Sequence, residues 1–234
     1  DLSAARFAVS GGAPLPIEVL HQFETRYGIP IYEGYGLTEA APVLTENPPL
    51  GHRKVGSVGP PLPGVELRVV DGAGKDVPMG EVGEIVARGA NIMQGYLNRP
   101  EDTAEILKDG WLSSGDMGRR DADGYFYIVD RKKDLIIVGG LNVYPREVED
   151  ILTAHPAVAE VAVIGVPDST RGEVPKAYIV LKPGAAASRQ ELLRFVRERM
   201  ASFKVPRDME FCEGLPRTIS GKVLRQHLGS DAEA

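Results

Sequence analysis

The stretch FAVSGGAPLPIEVLHQFETRYGIPIYEGYG, residues 7–36, decides the fold. Phe7 to Ser10 reads as the end of a short strand, stopped by Gly11-Gly12. Pro16 suits the first position of a helix. Ile17, Leu20, Phe23 and Tyr27 follow at helical spacing, and Gly28 fits a C-terminal cap. Ile29 to Tyr32 reads as the next strand, running into Gly34-Tyr35-Gly36. Strand–helix–strand is the unit of a parallel sheet. The unit begins without a preceding capping element, and the chain opens on Asp1 rather than Met. A piece of a larger domain is therefore expected.

Beyond this stretch the texture changes. Val65, Leu67 and Val69 alternate with Glu66 and Arg68, as in a half-buried strand. Glu84–Arg88 and Tyr125–Val129 predict two more strands. Asp71-Gly72 and Asp123-Gly124 are hairpin-type turns, and one short helix is predicted near Pro100 to Lys108. Residues 56–130 thus predict a small antiparallel sheet or barrel. After Lys133 the pattern is α+β. Pro145 opens a helix with Val148, Ile151 and Leu152 on one face. Val161–Val166 and Ala177–Leu181 read as buried strands. Ser188 and Glu191 form a capping box before a helix through Met200. A last short helix is predicted after Ser220.

The 234 residues are 43% hydrophobic and 26% charged, which is globular. The 27 Gly and 18 Pro follow no fixed period, which excludes collagen. No apolar run nears the ~20 residues of a membrane helix, and Asp1–Ser10 lacks a signal-peptide plan. The single cysteine, Cys212, has no internal disulfide partner and suits a reducing compartment. A net charge of −6 argues against general nucleic-acid binding. The charge is uneven: net −8 over residues 1–130 and +2 over 131–234. The change falls at Asp130-Arg131-Lys132-Lys133-Asp134, either a solvated turn or a domain junction.

Several stretches carry candidate chemistry. His21, His52, His155 and His227 have no ligand spacing, so a structural zinc site is not expected. Asp121-Ala122-Asp123-Gly124 has a faint calcium-loop look, but Tyr125 sits where a further ligand belongs; a hairpin turn is the better reading. Ser220-Gly221-Lys222 is not a P-loop, because Val223 follows the lysine and Pro216 replaces the upstream glycine. It leaves a lysine on a polar loop, a mobile counter-charge for phosphate or a plain surface lysine. Tyr35-Gly36-Leu37-Thr38-Glu39 lies just beyond a parallel strand, where open sheets bind ligands. A Tyr ring stacks, a Thr hydroxyl bonds phosphate and a Glu holds Mg²⁺; a packed turn explains the stretch equally well. Gly110-Trp111-Leu112-Ser113-Ser114-Gly115-Asp116 places an acid after glycine, either a ribose-binding carboxylate or an Asx turn.

Taken together and in order, these segments resemble the adenylate-forming acyl-CoA synthetase superfamily. The resemblance is nearest to bacterial long- and medium-chain fatty-acid–CoA ligases. It rests on Ser10–Pro16, Tyr35–Glu39, Gly110–Asp116, Asp130–Ile136, Asn142–Val148 and Pro216–Lys222. It implies an α/β and α+β chain. Residues 1–130 would be the C-terminal part of the large AMP-binding domain, a parallel-sheet remnant plus a small antiparallel β-barrel. Residues 131–234 would be the small mobile α+β C-terminal domain.

The reaction implied has two halves. A fatty-acid carboxylate attacks the α-phosphate of ATP, giving acyl-AMP and pyrophosphate; the coenzyme A thiol then displaces AMP. The resemblance assigns Gly12, Ala13 and Pro14 to one wall of the adenine pocket and Tyr35 to the other. It assigns Thr38 to phosphate, Glu39 to Mg²⁺, and Asp116 with Arg131 to the ribose hydroxyls. Lys222 would bridge the reacting carboxylate and the α-phosphate. Lys133 would be the hinge, and Gly139-Gly140 would flank the pantetheine path, where only glycine lets a backbone pass close to a thin ligand. A two-position domain presents Lys222 for the first step and withdraws it for the second.

Where the chain departs from the family pattern, it does so informatively. The Ser/Thr/Gly-rich phosphate loop ending in Pro-Lys-Gly is absent; in family members it lies upstream of Ser10-Gly-Gly. Ser114 replaces the usual Thr and keeps the hydroxyl. Ile137 stands where beetle luciferases carry a catalytic lysine, so light emission is not expected. The alternatives are an aryl-CoA ligase, an adenylation domain loading a carrier protein, or a non-catalytic nucleotide- or CoA-binding module. A cytoplasmic location is expected, without a transmembrane segment; peripheral membrane contact stays open. Unpaired strand edges predict a dimer or swapped assembly.

Overall fold

A computed structural model describes residues 2–219 and 221–228. The chain divides into two compact units, Asp1–Lys132 and Lys133–Ala234.

In the first unit, β1 (Ala8–Ser10), α1 (Ile17–Tyr27), β2 (Ile31–Gly36) and β3 (Val43–Glu46) form a three-stranded sheet with one helix. β1 and β2 are parallel, pairing Ala8 with Ile31; β3 is antiparallel to β2, pairing Thr45 with Tyr35. Pro16 precedes the helix rather than opening it, with an extended ψ of 133°. Gly28 closes α1 in the left-handed region, φ 65°, donating its amide hydrogen to the Glu24 carbonyl. The strand after it starts at Ile31, not Ile29, because Pro30 has no amide hydrogen for a ladder. It then continues through Gly36, so Tyr35 lies within the strand rather than beyond it. Thr38–Ala40 form a single 3-10 turn.

β4 (Val65–Val70), β5 (Gly83–Gly89), α2 (Pro100–Ile106), β6 (Leu107–Lys108), β7 (Trp111–Arg120) and β8 (Phe126–Arg131) follow. Their strands make a five-stranded antiparallel sheet, bent as a half-barrel, in the order β4-β5-β7-β6 with β8 on β7. Ala40 and Leu44 share one buried cluster with Leu67, Val69, Ile85, Ala87, Leu112 and Phe126. That shared core fixes the first sheet on the second. Among the described residues no group of three potential metal ligands gathers. The Asp121–Tyr125 loop is a hairpin turn, with the Asp121 amide donating to the Tyr125 carbonyl. Lys54 Nζ sits 2.5 Å from Asp121 and 2.6 Å from Asp123, neutralising the acidic pair that resembled a calcium loop.

The second unit contains β9 (Ile136–Val138), β10 (Leu141–Val143), α3 (Pro145–Thr153), β11 (Val158–Asp168), β12 (Gly172–Leu181), α4 (Arg189–Arg197) and β13 (Asp208–Phe211). The sheet runs β10-β9-β12-β11, and β13 pairs parallel to β12. The apolar face read from α3 is correct: Val148 and Leu152 are fully buried with Val163, Ile179, Leu192 and Val196. The Ser188–Glu191 capping box is present. α4 stops at Arg197 rather than Met200, because the Arg199 and Met200 amides both turn back to the Val196 carbonyl. The final helix is one 3-10 turn, Arg225–His227; Ser220 lies outside the described residues. No helix among the described residues is long and apolar enough to cross a membrane.

Candidate functional site

Asp116 is the best-built charge in the first unit. It is neither in an Asx turn nor in a loop: it lies in the middle of β7, the longest strand of its sheet. On β5, Glu84 pairs with Met117 and Val86 with Ser113, so three residues of β7 face the single residue Ile85. This is a bulge. Gly115 supplies the left-handed backbone it needs, φ 70°. Ser114 closes it: its hydroxyl donates to the Ile85 carbonyl at 2.7 Å and accepts the Asp116 amide hydrogen at 3.0 Å. The hydroxyl retained at position 114 therefore shapes the strand under the acid.

The Asp116 side chain is 8% exposed. Tyr35 donates its phenol hydrogen to Oδ2 at 2.6 Å. Arg131 Nε lies 2.7 Å from Oδ1 and is half exposed. Arg131 is the direct cross-strand partner of Asp116 on β8, so strand register alone brings the two charges together. Burial first, then the Asp116 charge, drives the Tyr35 phenol far above its ordinary range. It stays protonated, and stays a donor, at every physiological pH. Tyr35, Asp116 and Arg131 thus meet around one carboxylate, although 81 residues separate the first two. Gly12, Ala13 and Pro14 form an exposed turn after β1, with Gly12 at φ 83°.

Thr38 is exposed and Glu39 half-buried on the turn that follows β2. Tyr96 donates its phenol hydrogen to Glu39 Oε1 at 2.6 Å, and that bond pushes the Tyr96 phenol up to about 12. The Met93 amide donates to the Glu39 carbonyl at 2.8 Å. Asn91 Nδ2 donates to the Ala40 carbonyl at 2.8 Å. One loop, residues 91–96, therefore pins the turn bearing Thr38 and Glu39. These three residues escaped sequence reading because the contacts are non-local and follow no periodicity. Glu39 offers a hard oxygen ligand held from one side. A single carboxylate suits Mg²⁺, which keeps waters and phosphate oxygens in its shell.

In the second unit, Gly139 and Gly140 form the two-residue turn between β9 and β10, with φ 57° and 85°. Both central residues being left-handed is the primed hairpin turn, which demands glycine or a close substitute. A Cβ at either position would meet nothing within 4 Å. Turn geometry by itself calls for glycine at both positions. Lys222 is exposed on a hairpin closed by the Arg217–Val223 bridge. Lys133 begins the second unit, exposed, within the 3-10 turn Lys132–Asp134.

Comparison with known proteins joins these features. The family described as AMP-binding enzyme matches residues 1–97, and its C-terminal domain matches residues 147–222. A long-chain-fatty-acid–CoA ligase of Bacillus subtilis is 50% identical over 97% of this chain and 41% of its own length. A feruloyl-CoA synthase of Amycolatopsis is 48% identical over 96% of this chain and 46% of its own. The crystal structure of ATP-bound MatB from Rhodopseudomonas palustris superposes with a TM-score of 0.91 at 40% identity, over 94% of this chain and 44% of that one. The chain spans less than half the length of these relatives and corresponds to the C-terminal portion of adenylate-forming enzymes. Both of its units match in order and at high identity, so the chain belongs to the family of AMP-binding enzymes.

Proposed function

We propose that the chain supplies the ribose-binding carboxylate and the phosphate-directed lysine of an ATP-dependent acyl-CoA ligase acting on fatty acids. The observation that carries this is the buried Asp116 carboxylate, fixed by Tyr35 and Arg131. An ionised carboxylate is an acceptor only, which suits the two hydroxyl donors of a vicinal diol. Tyr35, held by its own hydroxyl, offers its ring as the flat wall for adenine, opposite Gly12–Pro14. Tyr35 thus links the base wall to the ribose acceptor.

Thr38 offers a hydroxyl to phosphate and Glu39 would hold Mg²⁺; bound there, the ion neutralises phosphate charge as a Lewis acid. Lys222 neutralises charge on the fatty-acid carboxylate and the α-phosphate while the new acyl–phosphate bond forms and pyrophosphate leaves. In the second half-reaction the thiol of coenzyme A attacks the acyl carbon and AMP leaves with the bond electrons. Lys133, at the boundary of the units, serves as the hinge between the two steps, and Gly139-Gly140 border the pantetheine.

A calorimetric titration of the chain with a non-hydrolysable dodecanoyl-AMP analogue tests the reading. Saturable binding, weakened by Asp116→Ala, is expected. No binding by a folded chain refutes a self-sufficient adenosine site in these residues.

An aryl acid is the second reading, because the feruloyl-CoA synthase relative is nearly as similar as the fatty-acid one. A substrate panel on the complete enzyme separates the two; aromatic acids outrunning dodecanoate would decide for the aryl ligase. Self-association through the β1 edge is also proposed: β1 pairs with β2 alone among the described residues, and Val9 within it is 60% exposed. A monomer by light scattering at high concentration refutes that association.

A further inference from the structure

The Lys222 hairpin is tight. Thr218 donates its amide hydrogen to the Lys222 carbonyl at 2.8 Å, and Leu224 donates to the Pro216 carbonyl at 2.8 Å. Lys222 donates its own amide hydrogen to Thr218 Oγ1 at 3.1 Å. Leu215, Val223 and Leu228 pack beneath it on Ala162 and Tyr178. Two arginines fasten it to the rest of the unit, and they are unequal. Arg217 reaches Glu160 at 2.6 Å, with both side chains 42% exposed. Arg225, three residues after the lysine, is more enclosed. Its Nη2 contacts both oxygens of Glu149 at 2.8 Å, and its Nη1 contacts Asp134 at 3.1 Å. Glu149 is itself fixed, accepting the Val163 amide hydrogen at 2.8 Å. One guanidinium therefore joins the lysine hairpin to α3, to β11 and to the residue that follows Lys133.

We propose that Arg225 is a positioning residue for Lys222: through Glu149 and Asp134 it sets where the lysine hairpin stands relative to the segment at the unit boundary. The proposal rests on the reading of Lys222 as the adenylation cation. A lysine stem is flexible and rich in rotamers, so its backbone must be held if the ammonium is to arrive in register. A planar arginine making a three-contact bridge between acids is suited to that task. A surface pair such as Arg217–Glu160 is not.

The test uses the full-length enzyme and reads the half-reactions separately: pyrophosphate release on adenylation, and thioester formation from supplied dodecanoyl-AMP. Arg225→Ala should slow adenylation about 10- to 100-fold, the cost of a misplaced catalytic group, with thioester formation unchanged. Arg225→Lys should recover part of the loss. Glu149→Gln should give the same split more weakly, and it reads the proposal even where Arg225→Ala does not fold. The Lys222→Ala/Arg225→Ala double variant should adenylate no more slowly than Lys222→Ala alone, since one residue acts through the other. Equal loss in both half-reactions, unchanged adenylation, or additive losses in the double variant would overturn the proposal. If Lys222→Ala itself keeps full adenylation, the reading of Lys222 fails on that variant alone. A loss in Arg225→Ala would then have to be assigned elsewhere, and the proposal falls with it.

Discussion

Asp116 and Lys222 carry the two charges on which the proposed chemistry turns, and the chain builds them by opposite means. The carboxylate sits buried in the middle of a strand, with a phenol on one oxygen and a guanidinium on the other. The ammonium stands exposed at a hairpin whose backbone is fastened. A group that binds the unchanging part of a ligand gains from being fixed, because nothing is reorganised when the ligand arrives. A group needed in one step and unwanted in the next gains from a movable mount. The first design spends burial on precision; the second keeps its charge in water.

The sharpest way to break this contrast is Lys222→Ala in the complete enzyme. Acyl-AMP formation should fall by roughly 10²–10³, as for loss of a transition-state charge partner, while thioester formation from supplied acyl-AMP persists. Pyrophosphate release and thioester assays read the two; equal losses would remove the step-specific role. Next comes Asp116→Ala, read by calorimetry with the dodecanoyl-AMP analogue. Losing hydrogen bonds to a charged acceptor, each worth about 1.5–3 kcal/mol, should weaken binding at least tenfold. Unchanged affinity would take the ribose away from Asp116.

Tyr35→Phe is a smaller and more selective probe. It keeps the ring and removes the bond to Asp116, so affinity should fall several-fold, by about 1 kcal/mol. Its stability effect has a defined pH window. The folded phenol is raised above the ordinary value of about 10. Its contribution is therefore intact below pH ~10 and declines as pH rises from there toward the folded value. Thermal unfolding of the two proteins should differ most at neutral pH and converge in alkali; a constant gap would deny the buried phenol–carboxylate bond. Arg217→Ala should do least. Its exposed pair is worth about 0–1 kcal/mol, and the adenylation rate should barely move. A loss matching that of Arg225→Ala would erase the distinction between the two mounts.

The elements most legible in the sequence were those with local signals. Leu20, Val148 and Leu152 face cores because helical spacing puts them there. The Ser188 capping box and the Asp121–Tyr125 turn follow from short-range hydrogen bonding. β7 was not legible: Gly115, Asp116 and Gly118 interrupt its alternation, since a bulge breaks the period of two. Asp116 was nonetheless picked out, through its place in a familiar motif. Tyr96 and Arg225 were missed because what they do is set by partners far along the chain, Glu39 for one and Glu149 and Asp134 for the other.

By itself the sequence determined the order of elements, the change in texture and charge near residue 130, and the family, because periodicity, turn chemistry and ordered motifs are written along the chain. The tertiary structure decided which side chains meet. The Asp116–Arg131 pair is a consequence of strand register, the Tyr35–Asp116 bond of one sheet packing on another, and the Arg225 bridge of a hairpin folding back on α3. Such contacts depend on distances in space between residues remote in sequence, and no local rule encodes them.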